Sequence, residues 1–143
     1  MILPDVNVLV YAFRRDSAHH EPCRALLEAA VNGAEPYGLS DLVTSGFLRI
    51  VTHPRVFREP SPLSDALAFA EHLRLQPNRV AVAPGPRHWD IFVGLCGAAS
   101  VKGNLVPDAY LAAMAFESGC EWITTDRDYA RFEGLRWRDP RGS

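Results

Sequence analysis

What the sequence lacks narrows the field first. It has only three cysteines, Cys23, Cys96 and Cys120, with no CxxC pair and no zinc-like spacing. An odd count without a framework argues against a disulfide-stapled secreted scaffold and leads us to expect a reducing, cytoplasmic setting. No apolar run is long enough to cross a bilayer, so no membrane association is expected. The opening MILPDVNVLVYAF lacks a basic leader and carries Asp5, unlike a signal peptide. Positive charge is not in excess either: 15 Lys and Arg stand against 17 Asp and Glu, for a net charge of −2. Proteins that grip nucleic acid by neutralising its phosphates are usually basic. Any such contact here must rest on local arginines or on a cation that offsets acidic groups. There is no internal repeat, low-complexity tract or linker.

What is present suits one globular domain. The 143 residues are 48% hydrophobic, enough for a real core. Residues 1–12 form a β-branched run of buried-strand type, bounded by the polar stretch Arg14–Ser17. Residues 18–32 read as an amphipathic helix stopped by Gly33. A second helix is expected from the N-cap Ser40 to about His53, before Pro54. A third should run from near Pro62 to before Pro77, and a fourth over residues 87–100. Lys102–Asn104 breaks the pattern, and Pro107 is expected to open a fifth helix ending at Gly119. Short strands are expected at Arg79–Ala83, Glu121–Thr125 and Leu135–Arg138. Strands alternating with helices predict an α/β fold with a mostly parallel central sheet. The last residues, about 139–143, are expected to fray.

Three aspartates stand out by position. Asp5 lies in the first apolar run and belongs at a strand's carboxyl end, where ligands bind in open α/β sheets; a simple capping aspartate is the bland alternative. Asp108 follows Pro107 and shares a helix face with Leu111, Ala112, Ala115 and Phe116, so it points to the core side of a helix start. A first-turn stabilising role reads equally well. Asp126 and Asp128 follow the EWITT strand, where a polar turn is common. Together they suggest more than each does alone. Like charges brought close repel unless a cation sits among them. An all-oxygen donor set without His or Cys suits Mg²⁺ or Mn²⁺ and the hydrolysis of a phosphodiester.

The segments DVNVLVYAF (Asp5–Phe13), FLRIVTHPRVF (Phe47–Phe57), GNLVPDAYLAAMAFESG (Gly103–Gly119) and WITTDRDYARFEGLRW (Trp122–Trp137) resemble PIN-domain nucleases, specifically the VapC-type toxins of bacterial toxin–antitoxin pairs abundant in mycobacteria. The resemblance covers nearly the whole chain. It implies a three-layer α/β/α sandwich and Mg²⁺- or Mn²⁺-dependent endoribonuclease activity that leaves a 5′-phosphate and a 3′-hydroxyl. It also implies Asp5, Asp108 and Asp126 as acidic ligands, Asn7 and Thr125 as small polar supports, and Asp128 as a lesser helper. Expected partners are a transfer or ribosomal RNA substrate, a short antitoxin and a second copy of the chain.

One departure from that pattern matters. The family's second acid, usually a Glu on the second helix, is Gly46 here, and Asp41, five residues earlier, lies on another face. The alternative is therefore a catalytically weak PIN domain that binds RNA or a partner. A phosphatase that opens with Asp after its first strand needs another Asp two residues on, where this chain has Asn7. Arg49 and Arg55 are candidate RNA contacts; Arg127, Arg131, Arg136 and Arg138 form a C-terminal basic cluster. His19, His20 and His88 lack mutual metal spacing and are expected at the surface. Trp89, Trp122 and Trp137 are assigned to core or interface. The apolar stripe of Leu63–Leu75 is expected in the core, with a share exposed as part of an antitoxin groove.

Overall fold

The first strand is much shorter than its apolar run. In the computed structural model, which describes residues 1–142, β1 covers only Ile2–Pro4 and the chain turns at once into helix α1, Val6–Phe13. This corrects the expected strand over residues 1–12. Asp5 makes the switch: its backbone is extended, and its Oδ1 accepts the Val6 N–H at 2.7 Å. A continuous apolar run suits a buried helix as well as a buried strand, and here Val8, Leu9 and Val10 are all buried.

The remaining elements follow in order. Helix α2 is His20–Asn32 and β2 is Tyr37–Leu39; the latter was not anticipated, because three residues between Pro36 and Ser40 carry no readable period. Helix α3, Asp41–Val51, is capped by Ser40, whose Oγ accepts the Leu42 N–H. Helix α4 is Leu63–Arg74, β3 is Arg79–Ala81 and α5 is His88–Ala98. Helix α6, Leu105–Ser118, begins two residues before Pro107. Proline is tolerated there because the first-turn N–H groups have no partner in the helix. Strand β4 is Glu121–Ile123, a 3₁₀ turn covers Arg127–Arg131, and β5 is Trp137–Arg138.

All ladders are parallel. One has the order β1–β4–β5, with Leu3 opposite Trp122; the other pairs β2 with β3. Strand β2 passes close beside β1: a Cβ on Gly38 would lie 2.9 Å from Val82 Cγ2 and 3.2 Å from the Ile2 carbonyl oxygen, so any larger residue there forces its neighbours to shift. Six α-helices flank this sheet in the expected α/β/α manner, with α1 against α2 and α3, and α5 against α6. The core is filled by Trp122, Tyr129, Phe47, Leu3, Leu9 and Leu39. Burying such large side chains contributes about 1.5–3 kcal/mol each before entropy is charged against it.

Two expectations change. His88 is buried, with its Nε2 2.8 Å from the Tyr110 carbonyl oxygen, and is not a surface residue. The tail at 139–142 is tied down rather than frayed: Asp139 is buried and pairs with Arg141, which also donates to the Thr125 carbonyl. Ser143 lies outside the described residues. Trp122 is fully buried, Trp137 partly so, and Trp89 is 63% exposed. No helix is long and apolar enough to cross a membrane among the described residues.

Candidate active site

Pairing β1 with β4 brings the two ends of the chain together. The Asp5 N–H continues the ladder by donating to the Ile123 carbonyl at 2.8 Å. Thr124 therefore sits beside Asp5. Its buried hydroxyl donates to Asp5 Oδ2 at 2.7 Å and accepts from Asn7 Nδ2 and from the Asp126 N–H. Asn7 also donates to Asp5 Oδ2, and its Oδ1 accepts the Thr125 N–H at 3.2 Å. The supporting hydroxyl is thus that of Thr124, which the sequence reading missed. Thr125, the expected support, contributes through its backbone. One residue of difference at a strand end decides which hydroxyl faces the carboxylate.

Asp5, Asn7, Asp108, Asp126 and Tyr129 line one cavity of about 390 Å³. Two larger hollows elsewhere have no such convergence of carboxylates. The rest of the lining is mostly apolar: Val6, Val10, Tyr11, Ile50, Val56, Phe57 and Leu111. Tyr129, also missed in the sequence, is buried and donates its hydroxyl to Asp108 Oδ1 at 3.3 Å. Asp126 caps the 3₁₀ turn by accepting the Asp128 N–H, while Asp128 is exposed and pairs with Arg131. Capping and site roles are not alternatives here, because one side chain can serve both.

The electrostatics of the cavity oppose negative charge. Asp5 is 5% exposed, and burial pushes its carboxyl up to about 6; the neighbouring Asp108 and Asp126 charges push the same way against the Thr124 and Val6 hydrogen bonds. Asp108 is raised as well, first by burial and then by Asp126. The Tyr129 hydroxyl is held firmly protonated by burial and by the surrounding carboxylates. Among the described residues no group of three or more His, Cys, Asp or Glu side chains is arranged to hold a metal ion. An open set of aspartates completed by water is still the donor chemistry of Mg²⁺, which keeps much of its hydration.

The other candidates lie apart from the carboxylates. Gly46 sits on α3 against Val6, and a Cβ there would be 3.1 Å from Val6 Cγ2. Asp41 is taken up by Arg74, at 2.9 and 3.0 Å, and by Arg79. Arg49 and Arg55 are exposed and adjoin the cavity residues Ile50 and Val56 in the chain. Within the C-terminal basic cluster, Arg131 pairs with Asp128, Arg136 donates to the Gly119 carbonyl and Arg138 pairs with Glu121.

Comparison with known proteins agrees with this architecture. A PIN-domain family model matches residues 2–135. The chain is 46% identical to Ribonuclease VapC43 of Mycobacterium tuberculosis over 140 residues, covering 98% of this chain and 95% of the relative. It is 41% identical to Ribonuclease VapC25 of the same organism, covering 95% and 96%. Among solved structures it superposes on VapBC2 from Rickettsia felis, bound to a DNA fragment from their promoter, with a TM-score of 0.71 at 14% identity, covering 97% and 98%. At that identity the likeness speaks for the fold alone. The chain belongs to the PIN-domain family and, within it, to the VapC ribonuclease toxins of toxin–antitoxin systems.

Proposed function

We propose that the chain is a Mg²⁺- or Mn²⁺-dependent endoribonuclease, with Asp5, Asp108 and Asp126 as the residues that would hold the cation. The observation that carries this reading is the convergence of Asp5, Asp108 and Asp126 on one cavity where burial and neighbouring carboxylates disfavour the charge of Asp5 and Asp108. When bound, a divalent ion supplies charge neutralisation and water activation for hydrolysis of a phosphodiester. The chain's own groups do the rest. Thr124, Asn7 and Val6 fix the Asp5 carboxylate: Oδ2 accepts two hydrogen bonds and Oδ1 one, so Oδ1 keeps a further lone pair for a cation. Tyr129 holds Asp108 through its hydroxyl, and Asp126 would complete the shell of a bound cation or orient the attacking water. Asn7, Thr125 and Asp128 are supports, and Arg49 and Arg55 contact RNA phosphate outside the cavity. Hydrolysis on this pattern leaves a 5′-phosphate and a 3′-hydroxyl.

The test is direct. Asp5→Asn and Asp108→Asn each abolish cleavage of RNA in Mn²⁺ while the melting temperature stays near that of the parent. Undiminished cleavage in both variants refutes the assignment. Gly46 favours a second reading, a PIN domain that binds RNA or a partner with little turnover. Wild-type cleavage well above a metal-free control removes it.

The partners are a transfer or ribosomal RNA, an antitoxin and a second copy of the chain, with the protein at work in the cytoplasm. An antitoxin segment is supported by a hollow of about 490 Å³ lined by Phe13, Leu27, Phe69 and Leu73 with Arg15 and Arg24, and by the exposed Leu63 and Leu67 on α4. A homodimer is supported by the apolar residues that α5 and α6 leave exposed, Trp89, Val93 and Val106.

A further inference from the structure

Helix α1 carries a second device at its far end. Asp5 stands at its start and Arg14 at its C-cap, nine residues and about 13 Å along the axis. The Arg14 side chain is largely buried, and its whole guanidinium is used. Nε and Nη2 grip the Asp16 carboxylate at 3.0 and 2.7 Å. Nη1 donates to the Glu59 carbonyl at 2.8 Å and to Ser61 Oγ at 3.0 Å. Its Cζ lies 3.9 Å from the centre of the Phe57 ring, a stacking that adds to the hydrogen bonds.

Everything on the loop side of this clamp belongs to one segment, residues 54–61, between α3 and α4. That segment is folded on itself: the Val56 and Phe57 N–H groups donate to the His53 carbonyl, and the Ser61 N–H donates to the Val51 carbonyl. Val56 and Phe57, with Ile50 and Leu111, line the same cavity as the carboxylates. Val56 is 51% exposed, which is a cost for an apolar side chain unless something packs on it.

A cavity lined by both carboxylates and hydrocarbon sorts the parts of a nucleotide. The phosphate belongs with the cation at the carboxylates. The side chains of Val56 and Phe57 offer no hydrogen-bonding groups and suit the flat face of a base. A base inside a duplex has both faces covered by its neighbours, so only an unpaired one can be offered.

We propose that Arg14 is a positioning residue for RNA cleavage: by pinning residues 54–61 to the end of α1 it holds Val56 and Phe57 as apolar lining of the carboxylate cavity, on which one unpaired base beside the scissile phosphate packs. The proposal rests on the ribonuclease reading above. Arg14 touches neither cation nor phosphate, so it acts on substrate binding and not on the chemical step.

The experiment uses the full chain, Mn²⁺, a single-stranded oligoribonucleotide and the same sequence annealed to its complement. It measures KM, kcat, Mn²⁺ affinity by paramagnetic resonance and the melting temperature. Arg14→Ala raises KM about tenfold, the scale expected for losing one base-stacking contact, with kcat and Mn²⁺ affinity changed less than about twofold. Arg14→Lys recovers part of the loss, because an ammonium still reaches the Glu59 carbonyl but cannot lie flat on Phe57. Val56→Glu, at an exposed position where folding is not at stake, raises KM in the same way and decides the matter if Arg14→Ala misfolds. The annealed duplex is cut far more slowly by every form. Unchanged KM in both variants overturns the proposal, as does a parallel fall in kcat and Mn²⁺ affinity, or a lowered melting temperature with normal kinetics. Absence of cleavage by the parent chain defeats the ribonuclease reading instead, and is recognised because the parent itself is silent.

Discussion

Thr124 organises the acidic cavity through a single oxygen, since its hydroxyl meets Asp5, Asn7 and the Asp126 backbone at once. Its partner Asp5 makes stability depend on pH in an unusual sense. A carboxyl lifted to about 6 by burial favours the folded state when protonated. Its contribution is fully present below the unfolded pKa, near 4, and is lost as pH rises through about 6. Asp16, Asp41 and Asp139, held low first by hydrogen bonds from Arg14, Arg74 and Arg141, act in the opposite sense, so the comparison must be with Asp5→Asn. Calorimetry of the metal-free proteins should show the parent losing ground to Asp5→Asn between pH 4.5 and 7.5. Adding Mn²⁺ at pH 7.5 should restore the parent and leave the variant unmoved. Parallel pH profiles would contradict the assigned burial of Asp5. The three aspartates were legible in the sequence because each sits where an apolar element begins or ends. Thr124 and Tyr129 were not, since a hydroxyl among buried residues announces itself only when its partner, more than a hundred or some twenty residues away, is known.

Helices α2 to α6 could be read from periodicity and punctuation, because each combines an apolar stripe with a capping, proline or glycine boundary. Helix α1 could not. Its Val6, Val8 and Val10 look like strand, and only the carboxylate of Asp5 catching the first N–H reveals the turn into helix. Strand β2, three residues long, left no pattern to find. The end of α6 is the clearest stop in the chain: Gly119 adopts φ 70° and its N–H returns to the carbonyls of Ala115 and Phe116. A Cβ there would meet nothing within 4 Å, so the cost of Gly119→Ala is one of backbone conformation alone. It should lower stability by about 1 kcal/mol, or the melting temperature by about 3–5 °C, read by thermal unfolding. An unchanged midpoint would mean that the helix end can relax.

At the scale of the whole molecule, one face is left without cover. Helix α5 is strongly apolar in character yet buries only His88, and Trp89 and Val93 stand open to solvent at 63% and 51% exposure. If a second copy covers this face, sedimentation should give twice the chain mass for the parent and the single-chain mass for Trp89→Asp. A parent that sediments as a single chain at all concentrations would leave the face to another partner. The class of fold was legible at this scale from the alternation of strands and helices. The adjacency of β1 and β4 was not, because parallel pairing across nearly the whole length leaves no local trace. That adjacency has a consequence for biosynthesis. Asp5 alone makes no acidic cavity: a growing chain owns one only after Thr124 and Asp126 have left the ribosome and slotted in beside it.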